Sequence, residues 1–162
     1  ALYSYIESKD KLLEMILCMG RMAVTRVMTQ AAAEPLDARN QLRQLLRAHL
    51  YLTEAMQPWF YFSYMETKHF DREARERALE GELASGRYFS DCLLRGSAEG
   101  VFEVRDPELT AAMIKPLLQD WYLKRWKYRR RNIGVEAYAD ALIEFLEAAL
   151  LKRPAPTVPA PP

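Results

Sequence analysis

Glycine, cysteine and proline are all scarce in this 162-residue chain: six glycines, two cysteines, and only four of its nine prolines between Ser8 and Leu151. The two cysteines, Cys18 and Cys92, lie far apart without metal or redox spacing. That excludes a disulfide-stapled secreted scaffold and leaves a reduced, cytosolic chain as the expectation. Both are read as small buried residues within helices. No apolar run approaches the roughly 18 residues that a membrane span needs, because charges interrupt each candidate, and no secretory signal is legible. Neither sign of charge dominates: 23 basic and 22 acidic side chains leave a net +1. Any basic surface for nucleic acid would therefore be local. There is no glycine-rich phosphate loop, nucleophile elbow or histidine pair at metal spacing, since His49 and His69 are twenty residues apart. Glu54, Glu66 and Asp120 could meet in the interior, but without a partnering histidine or motif they do not make an enzyme. No catalytic residue, metal or cofactor is expected.

What is present is helix. Half the residues are hydrophobic, valine and isoleucine are sparse, and Leu, Ala, Met, Glu and Arg abound, a composition that favours α over β. Ser8 is a good N-cap for a first helix reaching about Ala33, with Leu13, Ile16, Leu17, Gly20, Val24 and Val27 at three- and four-residue steps. After Pro35 a second helix runs from about Asp37 to Gln57, with Leu42, Leu45, Leu46, His49 and Met56 on one face. Trp59 to Met65 reads as a short aromatic helix. A long helix follows from about Asp71, with Leu79, Leu83, Gly86, Ser90, Leu93 and Ser97 as its seam and Gly100 as a left-handed cap. Asp106-Pro107 opens a helix to about Arg131 that is expected to kink at Pro116. The last helix, Val135 to Leu151, buries Tyr138, Leu142, Phe145, Leu146 and Ala149. Beyond Lys152 the chain turns proline-rich and reads as an extended tail. The fold class is all-α.

Two clusters stand out chemically. Trp59, Phe60, Tyr61, Phe62, Tyr64 and Phe70 crowd one segment, and a short helix cannot bury all of them against one neighbour, so some line a cavity, an interface or a hinge. A basic run, Lys124-Arg125-Trp126-Lys127-Tyr128-Arg129-Arg130-Arg131, has three readings: an anionic ligand, nucleic acid, or a structural pairing. The acidic stripe Glu136, Asp140, Glu144 and Glu147 on the next helix favours the third.

Leu2, Tyr3 and Tyr5, then Ser8, Lys9, Leu12 and Leu13, resemble the end of the recognition helix and the following serine–lysine and leucine pair of the TetR family of bacterial transcriptional regulators. Ile6 departs from the family's phenylalanine but keeps an apolar plug. Glu99-Gly100-Val101-Phe102 with Asp106-Pro107-Glu108-Leu109-Thr110-Ala111-Ala112 resembles the turn between the family's long regulatory helix and its dimerisation helices. The resemblance spans Ala1 to Leu151 and is architectural beyond the first dozen residues.

That resemblance implies about six helices, the last two forming a dimerising bundle. Residues 1–7 would end a helix-turn-helix domain lying upstream, residues 8–151 would bind ligand and dimerise, and 152–162 would be the tail. It implies backbone-phosphate contacts from Tyr3 and Lys9, and a ligand site among His49, Met56, Trp59, Tyr61, Tyr64, Phe89, Trp121 and Tyr122. Tyr138, Leu142, Phe145, Leu146 and Ala149 would form the homodimer interface. The implied function is a repressor released from operator DNA by a small hydrophobic or aromatic inducer, the first helix carrying the motion. The alternative from another class is a helical carrier of small hydrophobes or lipids that does not bind DNA.

Overall fold

The computed structural model describes residues 9–154, apart from the side chain of His69. Tyr3, the rest of the segment 1–8 including the Ser8 cap, and the tail from residue 155 lie outside the described residues. Seven α-helices make up the described fold: α1 Lys9–Ala33, α2 Ala38–Ala55, α3 Gln57–Glu66, α4 Arg72–Ala98, α5 Pro107–Leu123, α6 Arg125–Arg130 and α7 Val135–Leu150. A single 3-10 turn, Thr67–His69, joins α3 to α4. Among the described residues there is no β-strand, only an isolated bridge between Phe102 and Leu151. No described helix is long and apolar enough to cross a membrane.

The boundaries follow local chemistry. Asp37, Asp71 and Asp106 each cap a helix, their carboxylates accepting from the backbone N–H of Asn40 at 2.9 Å, Ala74 at 2.8 Å and Leu109 at 2.9 Å. Each such cap is worth about 1 kcal/mol. Gly100 ends α4 with φ 74°, a left-handed conformation natural to glycine. The following turn is tied down by Val101 N–H to the Gly96 carbonyl at 2.8 Å.

α2 lies at the centre, touching α1, α3, α4, α5 and α7. Its Leu42, Leu45, Leu46 and Leu50 are fully enclosed with Met28 of α1, Phe89 and Leu93 of α4, and Ile114 and Leu118 of α5. Each of these side chains contributes about 1.5–3 kcal/mol of burial. α7 closes the far side with Ala139, Leu142, Ile143, Leu146 and Leu150.

Four sequence expectations change. The helix expected to run from Asp106 to Arg131 is two helices: α5 continues through Pro116, and the break falls at Lys124, which has φ −120° and ψ 33°. Pro116 is exposed, so water can reach the backbone group that its missing N–H leaves free. The α4 seam holds only in its second half, since Leu79 and Leu83 are exposed while Phe89, Cys92, Leu93 and Gly96 are buried. Cys92 is buried, but Cys18 is exposed on the outer side of α1.

The fourth change concerns charge. The acidic stripe of α7 pairs with three arginines of α2 spaced at four-residue steps, not with the basic run. Arg39 and Arg43 both grip Glu147, at 2.7 and 2.5 Å, and Arg47 reaches Asp140 at 2.5 Å and Glu136 at 3.3 Å. Hydrogen bonds from Arg39 and then Arg43 hold the Glu147 carboxyl down at about 2.

Candidate functional site

The expected ligand residues divide into distinct surroundings. His49, Phe89 and Tyr122 come together in the interior between α2, α4 and α5. The His49 ring lies edge-on to Phe89, centroids 6.3 Å apart, and tilted against Phe60 at 6.1 Å. Phe60 in turn meets Tyr122 at 5.3 Å and stands edge-to-face with Trp59 at 5.0 Å. Burial, then the nearby charges of Glu82 and Tyr64, push the Tyr122 phenol above its ordinary value. Tyr61 and Tyr64 are both exposed on α3.

Trp59 does something else. Its indole rests on α1, where a Cβ at Gly20 would overlap the ring at Cε2, and Nε1–H donates to the Ile16 carbonyl at 3.1 Å. It thus pins α3 to the first helix. Met56 is half-buried at the junction of α2 and α3, closing α2 through its N–H to the Leu52 carbonyl.

Trp121 faces away, into a second aromatic cluster. It stacks on Tyr128 at 5.3 Å and tilts against Tyr138 at 5.1 Å, and Tyr128 meets Tyr138 at 4.9 Å. Its Nε1–H donates to Glu54 at 3.0 Å, and Glu54 also pairs with Arg125. Asp120 receives Lys127, the Tyr128 hydroxyl and, at 3.7 Å, Lys124. Burial works to raise the Asp120 pKa, but the hydrogen bonds from Lys127 and Tyr128 outweigh it and hold the carboxyl below its usual value. Much of the basic run is thereby occupied around the α5–α6 break. Glu54 and Asp120 each keep their own cations, and among the described residues no group of three His, Cys, Asp or Glu side chains is arranged to hold a metal.

The interior also contains polar residues that the aromatic pattern did not single out. Lys115 is only 8 % exposed. Its Nζ donates to Ser85 Oγ at 2.7 Å and lies 3.6 Å from the half-exposed Glu82 carboxylate, which accepts from Gln119 Nε2 at 3.1 Å. Burial lowers the Lys115 pKa and the Glu82 charge opposes the shift. His49 is 3 % exposed, and its Nδ1 has no hydrogen-bond partner. Burial, reinforced by the Lys115 charge, lowers its pKa to about 3, so the imidazole is neutral at physiological pH. The signal for Lys115 was present in the sequence: it stands four residues after Ala111 and seven before Tyr122, on the apolar stripe of α5.

Two surface clefts lie elsewhere. One of 580 Å³ is bordered by Ser97, Phe102, Arg105 and Leu151, and one of 340 Å³ by Leu13, Leu17, Phe70 and Arg77. No residue of the expected ligand set lines either. Of the expected interface residues, Leu142 and Leu146 belong to the chain's own core and Tyr138 to the second aromatic cluster, its hydroxyl donating to the Leu117 carbonyl at 2.5 Å. Phe145, 63 % exposed, and Ala149 face outward, so within the chain the last helix does not bury them as its apolar spacing predicts. Lys9, the first residue of α1, is exposed.

The chain is thus an all-helical domain with a long first helix, a central helix wrapped by its neighbours and buried polar residues in its interior. The family model for the tetracyclin repressor-like C-terminal domain matches residues 35–148, and the chain belongs to the TetR family of transcriptional regulators. Among curated protein sequences nothing matches. The fold is similar to a bacterial regulatory protein in the tetR family from Rhodococcus RHA1, 18% identical with a TM-score of 0.82, covering 94% of this chain and 80% of that one. It is similar to the TetR family transcriptional regulator PfmR from Thermus thermophilus, 24% identical with a TM-score of 0.78, covering 94% and 81%. AibR, solved with isovaleryl coenzyme A and operator DNA, is 19% identical with a TM-score of 0.76, covering 89% and 77%. The family and the all-α fold expected from the sequence are thereby borne out.

Proposed function

We propose that this TetR-family chain is a homodimeric repressor that a small, largely apolar effector releases from its operator. The observation that carries the reading is His49, enclosed between Phe60 and Phe89 with Nδ1 unpartnered. A buried polar atom without a partner costs about 1–3 kcal/mol, so stability alone gives no reason to keep it. An effector supplies the missing partner. AibR, a structural neighbour solved with isovaleryl coenzyme A and operator DNA, lends support.

Coupling runs through Trp59. An effector that displaces Phe60 pushes on Trp59, and Trp59 has no clearance toward α1 at Gly20. α1 then shifts the DNA-reading heads, whose recognition helices must enter half-sites about 34 Å apart. The loss of DNA affinity equals the effector's preference for the shifted state, about 1–3 kcal/mol in typical cases. Tyr3 and Lys9 anchor each head to backbone phosphates, and Phe145 and Ala149 belong to the dimer face.

The test is a selection of duplexes from a random pool by the full-length protein. The expected product is a palindrome with half-sites one helical turn apart, bound two chains per duplex. Failure to enrich any duplex refutes the regulator and favours a carrier of small hydrophobes.

A further inference from the structure

Lys115 is harder to explain than His49. Its ammonium has three protons to place, and Ser85 takes one at 2.7 Å. The carboxylate nearest to it, Glu82, is 3.6 Å away and half-exposed, and already receives Gln119. A cation in this position is under-compensated. The unpartnered Nδ1 of His49 lies in the same interior, where the Lys115 charge reaches the ring.

α4 leaves room on that side. Glu82, Ser85, Gly86 and Phe89 fall at i, i+3, i+4 and i+7, so they share one face of the helix. Glycine weakens a helix interior, and at Gly20 and Gly96 a close neighbour accounts for it: Trp59 in one case, Phe102 in the other. At Gly86 a Cβ would meet no atom within 4 Å. Gly86 is half-exposed, so the face that carries the partners of Lys115 is open to solvent there rather than packed against a neighbour.

We propose that the effector is a small monocarboxylate with an alkyl or aryl body. Its carboxylate replaces Glu82 as the partner of Lys115 and, once Phe60 is displaced, accepts from His49 Nδ1–H, and its body lies along α4 at Gly86 beside Tyr122. The donor set selects the head group. One ammonium and one imidazole N–H match the two oxygens of a carboxylate, whereas a phosphate dianion calls for more positive charge and more donors. A neutral amide satisfies the geometry but leaves the Lys115 charge uncompensated. This inference rests on the effector-binding reading above and adds the charge and head group of the ligand.

The test uses the full-length protein and four probes, octanoate, 3-phenylpropanoate, octanamide and 3-phenylpropanamide, with binding followed by calorimetry and by thermal shift. At least one acid is expected to bind tenfold or more tightly than its amide. Lys115→Met, which removes the charge at similar volume, is expected to fold and to abolish that preference. Gly86→Leu fills the space without touching either polar group, and is expected to weaken acid and amide alike by tenfold or more. Amides binding as well as acids, a preference that survives Lys115→Met, or no binding by any of the four overturns the proposal. Release of the selected duplex is measured in parallel. Acids that bind through Lys115 without releasing DNA leave the carboxylate site standing and refute the regulatory reading; amides that bind and release DNA do the reverse.

Discussion

The Glu147 carboxylate holds α2 to α7, and Glu147→Gln measures what that grip contributes. The side chain is 12% exposed and receives the Nε and Nη2 of both Arg39 and Arg43, at 2.5 to 3.0 Å. Its pKa near 2 against an ordinary 4.5 would correspond to about 3 kcal/mol in a dry site. Both arginines are well hydrated at their outer edges, so screening reduces the contribution to about 1–2 kcal/mol. For a domain of this size that is a fall in Tm of roughly 2–8 °C.

The pH dependence has a fixed sign. The folded pKa is depressed, so the stabilisation is complete above pH 4.5 and is lost as pH falls toward 2, roughly halved near 3.5. The assay is urea denaturation of wild type and variant at one protein concentration, at pH 7 and at pH 3.5. A constant concentration keeps any coupled association from shifting the comparison. The gap is expected to close on acidification. A difference under about 0.5 kcal/mol at pH 7 places the pair among ordinary surface ion pairs. A gap that widens in acid refutes the sign argument.

Gly20→Ala drives a methyl into the Trp59 indole; a loss of about 1–3 kcal/mol is expected from overpacking, with altered tryptophan fluorescence as the bond to Ile16 breaks, and unchanged stability and fluorescence would show that the indole yields freely. Phe145→Arg places a charge on an exposed apolar ring of α7. Sedimentation at micromolar concentration is expected to show a dimer for wild type and a monomer for the variant, with helix content unchanged; a dimeric variant excludes this face from the interface.

The helix boundaries were legible because they are local. Asp37, Asp71 and Asp106 act within three residues of themselves, Pro107 sets its own φ, and Gly100 supplies its own left-handed turn. The break at Lys124 was not legible, because no glycine or proline marks it. It forms where Asp120 gathers Lys124, Lys127 and Tyr128 while Glu54, from another helix, takes Arg125. Pro116 was the stronger local signal, yet an exposed position tolerates it. The exposed Leu79 and Leu83 mislead for a different reason: α4 spans about 40 Å at 1.5 Å per residue, longer than the neighbours it packs against, so correct spacing continues past the end of the core. Partner choice for the acidic stripe of α7 likewise depended on which helix lies alongside. Arg39, Arg43 and Arg47 had the matching four-residue step, but the basic run was denser in charge and nearer in sequence.

The interior site was half legible for a chemical reason. Aromatic residues announce themselves by number, so His49, Phe89 and Tyr122 were within reach, but number does not say which way a ring faces, and Trp121 serves a different cluster. Lys115, Ser85, Glu82 and Gln119 are common residues on long helices, and each alone reads as solvated surface. Only the stripe they share with buried neighbours distinguishes them. That a lysine occupies the position rather than leucine is the informative fact, because an apolar residue of similar volume there would remove a desolvation cost and leave the packing intact. His49 likewise places a polar ring between Phe60 and Phe89, where Nδ1 gains no partner. Lys115 and His49 are thus two polar residues set against the local packing on different helices, and the proposed ligand would repay both.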